Sequence, residues 1–441
     1  MNPPRSEDFQ VERLGPCRFP SPLASKGHLF VDEQATVLLS CDPADLRSRP
    51  SDAQAPPSFE RAGPRERIFF DPAAVGCGIV TCGGLCPGIN DVIRALVLSL
   101  HYGYGVRRIL GFRFGYAGLT RRGVPPLSLA PRDVEDLHHT GGTLLGSSRG
   151  PQDVAEMVET LERLGVGILF TIGGDGTLRG ASAIAAEVRR RGLPIAVVGI
   201  PKTIDNDLLW VWRTFGYGTA VEAATTALVA AHNEARGAWN GIGLVKLMGR
   251  HSGFIAAEAT LANCDVNFCL VPEVPFRLEG RGGFLEALER RLEEKHHALI
   301  VVAEGAGQDL LADPARAEHD ASGNRKLEDV GVFLRDEIGR HLRARGVECT
   351  IKYIDPSYAI RSVPANALDS AYCLGLGQHA VHAGMTGRTD LVVGYWNQAF
   401  THVPIPVAVA GRKGIDPRGM LWFRVLETTG QPSSLGGAGR S

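Results

Sequence analysis

Residues 167–207 read GILFTIGGDGTLRGASAIAAEVRRRGLPIAVVGIPKTIDND. An apolar run from Gly167 to Ile172 stops at a glycine turn, and an amphipathic stretch from Leu178 to Arg190 follows it. A second apolar run, Ile195 to Ile200, comes next. Short apolar runs separated by a segment of helical period mark a strand–helix–strand unit whose strands lie parallel. The same texture spreads both ways. Upstream, Gly78 to Thr81 reads as a buried strand and Asn90 to Leu100 as a helix, with Ile93, Leu96, Val97 and Leu100 on one face. Downstream, strands are expected at Gly243 to Met248, Ala298 to Ala303 and Thr350 to Ile354. Helices are expected at Val221 to His232, Gly283 to Lys295 and Val330 to Arg345. The fold class is therefore α/β: two doubly wound, Rossmann-like parallel-sheet lobes, with the active site expected in the cleft between them.

The 441 residues allow two or three domains, and 44% hydrophobic with 22% charged residues suits a soluble globular chain. Lys plus Arg, at 47, nearly cancels Asp plus Glu, at 48. That balance argues against a broad nucleic-acid or anionic-membrane surface. The uncharged stretch between Asp71 and Asp91 holds five glycines and two prolines, which makes it a poor membrane span. The first residues have no apolar signal core, and the nine cysteines are odd in number and scattered, so a cytoplasmic protein with reduced thiols is expected. Residues 1–65 read as an extension packed on the body, with short apolar islands (His28 to Val31, Thr36 to Leu39), and 426–441 as a flexible tail. Glycine is in excess, 54 residues or about 12% against a usual level near 7%.

Ligands of a doubly wound sheet bind outside the carboxyl ends of the strands. After the first strand comes CGGLCPGIN (82–90), whose glycines admit a ligand to the backbone at a helix start, although a tight structural turn reads the same. Next comes Gly173-Gly174-Asp175-Gly176-Thr177, a carboxylate among glycines where phosphates would sit. A bridging Mg²⁺ resolves that repulsion; a helix N-cap by Asp175 is the structural alternative. The third strand ends in PKTIDND, and two carboxylates two apart in an extended stretch, Asp205 and Asp207, point to one side. One suits a base for a substrate hydroxyl; the other orients it or helps to hold the metal. Arg250 in Met248-Gly249-Arg250 is a candidate anion ligand, and Glu304 suits sugar hydroxyls. Lys352, Tyr358 and Arg361 form a cation–phenol–cation set for a phosphate ester.

The succession GGLCPGIN, GGTLLGSSRG, GGDGT, PKTIDND, MGRHSG and YIDPSYAIR resembles the phosphofructokinases from about residue 75 to about 390. It is most similar to the long ATP-dependent forms of plants and trypanosomatids. The resemblance implies Mg²⁺-assisted transfer of the γ-phosphoryl of ATP to the 1-hydroxyl of fructose 6-phosphate. It puts Gly83, Arg149, Gly150, Gly174, Asp175, Gly176 and Thr177 at ATP, with Asp175 on the metal. Asp205 becomes the base, with Asp207 and Arg250 beside it as catalytic residues. Thr203, Ile204, Met248, Gly249, Glu304 and Lys352 are expected around the sugar phosphate, with Tyr358, Ala359, Ile360 and Arg361.

Donor choice turns on Gly176 and Lys202. Pyrophosphate users resemble GGDD, and their Asp would crowd the α-phosphate of ATP, whereas Gly leaves room. Lys202 is shared with pyrophosphate users, but the plant and trypanosomatid ATP users carry the same Gly-plus-Lys combination, so ATP is favoured over pyrophosphate. A non-catalytic sensor on this fold is the remote alternative. Short bacterial forms carry an arginine where this chain has Gly241, which puts a cross-subunit contact in doubt. A nucleotide lobe is expected from 66–217, completed by part of 355–425, and a sugar-phosphate lobe from 218–354. A homo-oligomer, tetramer before dimer, is expected.

Overall fold

The computed structural model describes residues 6–27, 29–47, 55–311 and 326–436; the expected island at His28 and the last five residues of the tail lie partly or wholly outside them. The chain divides into two compact units. The first takes Met1–Thr203, Leu208–Gly216 and Val363–Gly411; the second takes Ile204–Asp207, Tyr217–Ser362 and Arg412–Ser441.

A nine-stranded sheet organises the first unit. Its order is β1 (Thr36–Leu38), β2 (Ser58–Arg61), β13 (Ala399–Pro404), β12 (Leu391–Trp396), β7 (Ala196–Pro201), β6 (Val166–Gly173), β3 (Gly76–Thr81), β4 (Arg108–Phe112) and β5 (Leu127–Ser128). The five strands from β12 to β4 run parallel. The strands outside them are antiparallel, so the sheet is mixed where an all-parallel one was expected. The hairpin β12–β13 explains the change: Asn397 and Gln398 both have positive φ (44° and 63°), the backbone that a two-residue hairpin needs. The N-terminal extension adds β1 and β2 to this edge, with Phe59 fully buried and set edge-on to Phe9 at 4.9 Å.

Strand β6 is apolar along its length because both faces are covered. Leu169 packs with Leu178 and Ala181 of α2 (Asp175–Arg190). Its neighbours Ile168 and Phe170 meet Gly384 of α8 (Ala367–Met385) on the other face, where a Cβ would lie 2.6 Å from Ile168. Helix α1 (Ile89–Leu98) packs beside α8 at Ala95 and Gly377.

The second unit holds a four-stranded, wholly parallel sheet in the order β9 (Phe268–Leu270), β10 (His297–Ala303), β8 (Gly241–Leu247), β11 (Thr350–Ile354). Val245 and Leu247 join a core with α3 (Tyr217–Arg236), α4 (Phe254–Asn263) and α9 (Met420–Thr429). Ile242 and Leu244 join the opposite core with α5 (Phe284–Lys295) and α6 (Val330–Ala344). The short helix α7 (Ser357–Ser362) follows β11. As far as it is described, the expected flexible tail makes hydrogen bonds to residues of its own unit. Helix α9 ends at Gly430, the Gln431 side chain accepts from Cys269 N at 2.7 Å, and buried Leu435 accepts from Arg277 N at 2.7 Å. These bonds occupy the polar edge beside β9, which gives an otherwise polar segment a fixed place.

No helix among the described residues is long and apolar enough to cross a membrane.

Candidate functional site

In the first unit the glycine motifs converge at the carboxyl ends of β3, β6 and β7. Thr81, closing β3, donates its hydroxyl to Gly146 O at 2.6 Å. Asn90 at the start of α1 donates to Thr140 O at 3.0 Å and accepts from Leu144 N at 2.9 Å. These bonds bring GGLCPGIN and GGTLLGSSRG together. Gly83 has φ +88°, donates to Ser148 O at 3.1 Å and accepts from the Ser147 hydroxyl at 2.6 Å. A Cβ on Gly84 would stand 3.4 Å from the Arg149 guanidinium, and the buried Lys202 ammonium donates to Gly84 O at 2.8 Å. Two cations thus flank the first glycine loop, and Gly150 (φ +95°) ends the second.

Between β6 and α2 the backbone is as tight as the motif suggests. A Cβ on Gly173 would lie 2.2 Å from the Thr177 hydroxyl, and one on Gly174 would lie 3.2 Å from Lys202 O. Gly174, not Asp175, is the N-cap; Asp175 is the first helical residue and pairs with Arg179 at 3.2 Å, so the capping alternative does not hold. A Cβ on Gly176 meets nothing within 4 Å. That open position, at a helix N-terminus with its free N–H groups, is suited to an anion. Among the described residues no cluster of three or more metal-ligating side chains occurs. A single carboxylate beside a phosphate cradle nonetheless fits Mg²⁺, which typically takes one or two carboxylates plus phosphate oxygens and water.

The second unit gathers the other charged set at the carboxyl ends of β8 and β10. The expectation of an extended Asp205–Asp207 stretch is corrected: Asn206 has φ +54°, so the residues form a turn. Asparagine tolerates that conformation better than most side chains. Asp205 accepts from Arg250 N at 3.5 Å, and its carbonyl accepts from the Ser252 hydroxyl at 2.8 Å. Burial pushes the Asp205 carboxyl up to about 7, the charges of Asp207 and Glu304 add to this, and the Arg250 N–H and Arg361 oppose it. Buried Asp207 receives the Arg412 guanidinium at 2.8 Å. Burial pulls the neighbouring Lys413 ammonium down to about 8, with Asp207 opposing.

Gly249 must be glycine. It has φ +131°, and a Cβ would lie 2.4 Å from Ser252 O. Its carbonyl accepts from Gly305 N at 3.0 Å, which sets Glu304 beside it. Arg361 donates Nε to the sulfur of buried Met248 at 3.4 Å and stacks on the exposed Tyr358 ring at 5.5 Å.

Other expected residues fall elsewhere. Thr203 lies in the first unit, on the far side of the chain boundary from Ile204. Ile360 is buried in the core with Met248 and Ile255, so its part is packing. Lys352 is not brought to the Asp205 group: it sits mid-strand in β11 and pairs with Glu234, near the end of α3, at 3.8 Å. Gly241 has room for no side chain, because a Cβ would lie 2.0 Å from Ala235 O, so an arginine there is excluded.

Sequence reasoning missed Lys246, Arg412, Lys413 and Glu273. Lys246 bridges Asp329 at 2.9 Å and Asp355 at 3.0 Å, and Asp355 in turn accepts from Ser357 N at 3.1 Å at the start of α7. A lysine two residues before Met248 in an apolar strand was the available signal.

Residues 76–384 match the family model described as Phosphofructokinase. The chain is 49% identical to the ATP-dependent 6-phosphofructokinase of Borreliella burgdorferi, over 97% of this chain and 98% of that one. It is 47% identical to the ATP-dependent 6-phosphofructokinase of Trypanosoma brucei brucei, over 97% and 88% respectively. Among solved structures, a pyrophosphate-dependent phosphofructokinase from Marinobacter aquaeolei superposes with a TM-score of 0.67 at 20% identity, covering 80% of this chain and 91% of that one. That likeness speaks for the fold alone. The chain belongs to the phosphofructokinase family.

Proposed function

We propose that this chain is an ATP-dependent 6-phosphofructokinase, which transfers the γ-phosphoryl of ATP to the 1-hydroxyl of fructose 6-phosphate. The observation that carries the chemistry is Asp205, a half-buried carboxyl pushed up to about 7 among Asp207, Glu304, Arg250 and Arg361. A base of that strength is matched to neutral pH. Asp205 takes the proton from the 1-hydroxyl, and Asp207 keeps it oriented. Arg361 and Tyr358 hold the 6-phosphate, Glu304 accepts from sugar hydroxyls, and Arg250 counters charge on the phosphoryl group in transfer.

On the donor side, Gly83, Gly84 and Gly174 let the backbone approach the triphosphate, and Arg149 and Lys202 supply cations. Asp175, paired here with Arg179, is the carboxylate that would hold a Mg²⁺ ion. When bound, that ion neutralises charge on the phosphoryl oxygens. Gly176 gives the α-phosphate its space. Ile204, Gly249 and Ala359 complete the acceptor set.

A second reading, pyrophosphate as donor, is favoured by Lys202 alone. Its ammonium already has a partner in Gly84 O, and the full-length relatives named above carry ATP in their names. The test is a coupled assay for fructose 1,6-bisphosphate with each donor in turn. Turnover with pyrophosphate and none with ATP would overturn the reading. A cytoplasmic homo-oligomer is part of the proposal, with tetramer or dimer decided by light scattering.

A further inference from the structure

The turn Asp205–Asn206–Asp207 belongs to no strand or helix, and its central residue is left-handed, so no ladder of backbone bonds holds it. Every one of its residues is tied down from outside. On one side, Arg250 N and the Ser252 hydroxyl hold Asp205, as described above. On the other side stands a segment about two hundred residues further along the chain. Arg412 donates to the Asp207 carboxylate at 2.8 Å, the Lys413 ammonium donates to Asn206 Oδ1 at 3.1 Å, and Lys413 N donates to Asp207 O at 2.9 Å. Glu273 joins the two sides. Its carboxylate accepts from Gly253 N at 3.0 Å on both oxygens and from Ile415 N at 2.8 Å. The Lys413 ammonium also stands 5.5 Å over the ring of Phe254, the residue after Gly253.

Resting on the reading of Asp205 as the base, we propose that Arg412, Lys413 and Glu273 form a positioning clamp that holds this turn in register for proton transfer. None of the three need touch substrate. They act through Asp205 and Asp207, whose placement decides whether the base meets the hydroxyl, and a displacement near 1 Å costs roughly a hundredfold in rate. A fork-shaped guanidinium suits Asp207 because it fixes direction as well as charge, which a lysine does only in part. The clamp also explains why GRKGID, far from every recognised motif, carries two adjacent cations between glycines.

The experiment uses the full chain with Arg412→Met, Lys413→Met and Arg412→Lys. Initial rates are measured with ATP and fructose 6-phosphate, and sugar-phosphate affinity by calorimetric titration. The two methionine variants should lose roughly 10- to 100-fold in kcat, keep sugar-phosphate affinity within about threefold, and Arg412→Lys should regain part of the rate. That split, kcat without affinity, is one that general loosening of the unit would not produce. Folded methionine variants with wild-type kcat would overturn the clamp, and so would loss of folding in both, which would assign these residues to stability. Wild-type turnover in the same assay separates this from the functional reading. An inactive wild type overturns that reading and the clamp with it, whereas equally active wild type and variants overturn the clamp alone.

Discussion

The two units place their chemistry in opposite ways. In the first, the donor loops lean on backbone: glycines such as Gly173, where a Cβ would collide, hydrogen bonds from Thr81, Asn90 and Ser147, the flanking cations Arg149 and Lys202, and one carboxylate, Asp175, paired at 3.2 Å. In the second, carboxylates crowd one another, and Asp205 stands against Asp207 and Glu304 with arginines in opposition. A triphosphate brings its own charge and metal, so its cradle needs free N–H groups and space. An alcohol brings no charge, so the protein must supply a base and hold it at a cost. The difference teaches where sensitivity should lie: to bulk on the donor side, and to charge on the acceptor side.

The largest effect should come from removing the base. Asp205→Ser is expected to lower kcat by about a thousandfold or more, within the range that general-base catalysis supplies, while sugar-phosphate binding persists. Near-normal turnover in a steady-state assay would end its role and dissolve the contrast. On the donor side the corresponding change is Gly176→Asp. The position is open and lies in the first turn of α2, where an acid suits the helix dipole, so folding should be undisturbed. ATP-dependent kcat/KM should fall by about a hundredfold, on the order of 3 kcal/mol, because a fixed carboxylate repels the α-phosphate. An unchanged rate with ATP would show that the cradle tolerates charge as well as the acceptor set does.

How much of this could be read in advance follows the same division. The donor loops were legible because strand, glycine turn and helix are contiguous, and local periodicity reports local structure. The acceptor residues were legible as residue types but not as geometry. Two aspartates flanking an asparagine look extended until Asn206 turns left-handed, and nothing nearby in sequence requires that. Arg412 was invisible because its bond to Asp207 spans 205 positions. Lys352 erred in the other direction: its neighbours in the motif suggested a phosphate, while its place in mid-strand gave it Glu234. The antiparallel edge of the first sheet hung on Asn397 and Gln398, a weak turn pair by composition.

The crowding should also be measurable without substrate. Asp205 has its folded-state pKa raised to about 7 from 3.8, so it favours folding when protonated. That contribution is fully present below about pH 4, is lost as pH rises through about 7, and is flat above. Asp205→Asn, which cannot ionise, should therefore become more stable relative to wild type between pH 5 and pH 7. The gap should widen through that range and level off by about pH 8. Melting temperatures across that range test it. A gap independent of pH would mean that the acceptor set carries no such cost.

The finest probe keeps the base and removes one neighbour. Under the proposed mechanism kcat/KM should rise tenfold per pH unit below about 7 and then level off, because only ionised Asp205 accepts the proton. Glu304→Gln preserves shape and hydrogen bonding but deletes a negative charge that raises Asp205. Asp205 should then ionise more readily, and the acid limb of the profile should move to lower pH by about half a unit. An equivalent loss of charge on the donor side, Asp175→Asn, should leave that limb in place while weakening metal binding, so that more Mg²⁺ is needed for the same rate. If Glu304→Gln leaves the limb unmoved while Asp175→Asn shifts it, the charge that tunes the base lies in the first unit, and the contrast between the two regions is reversed.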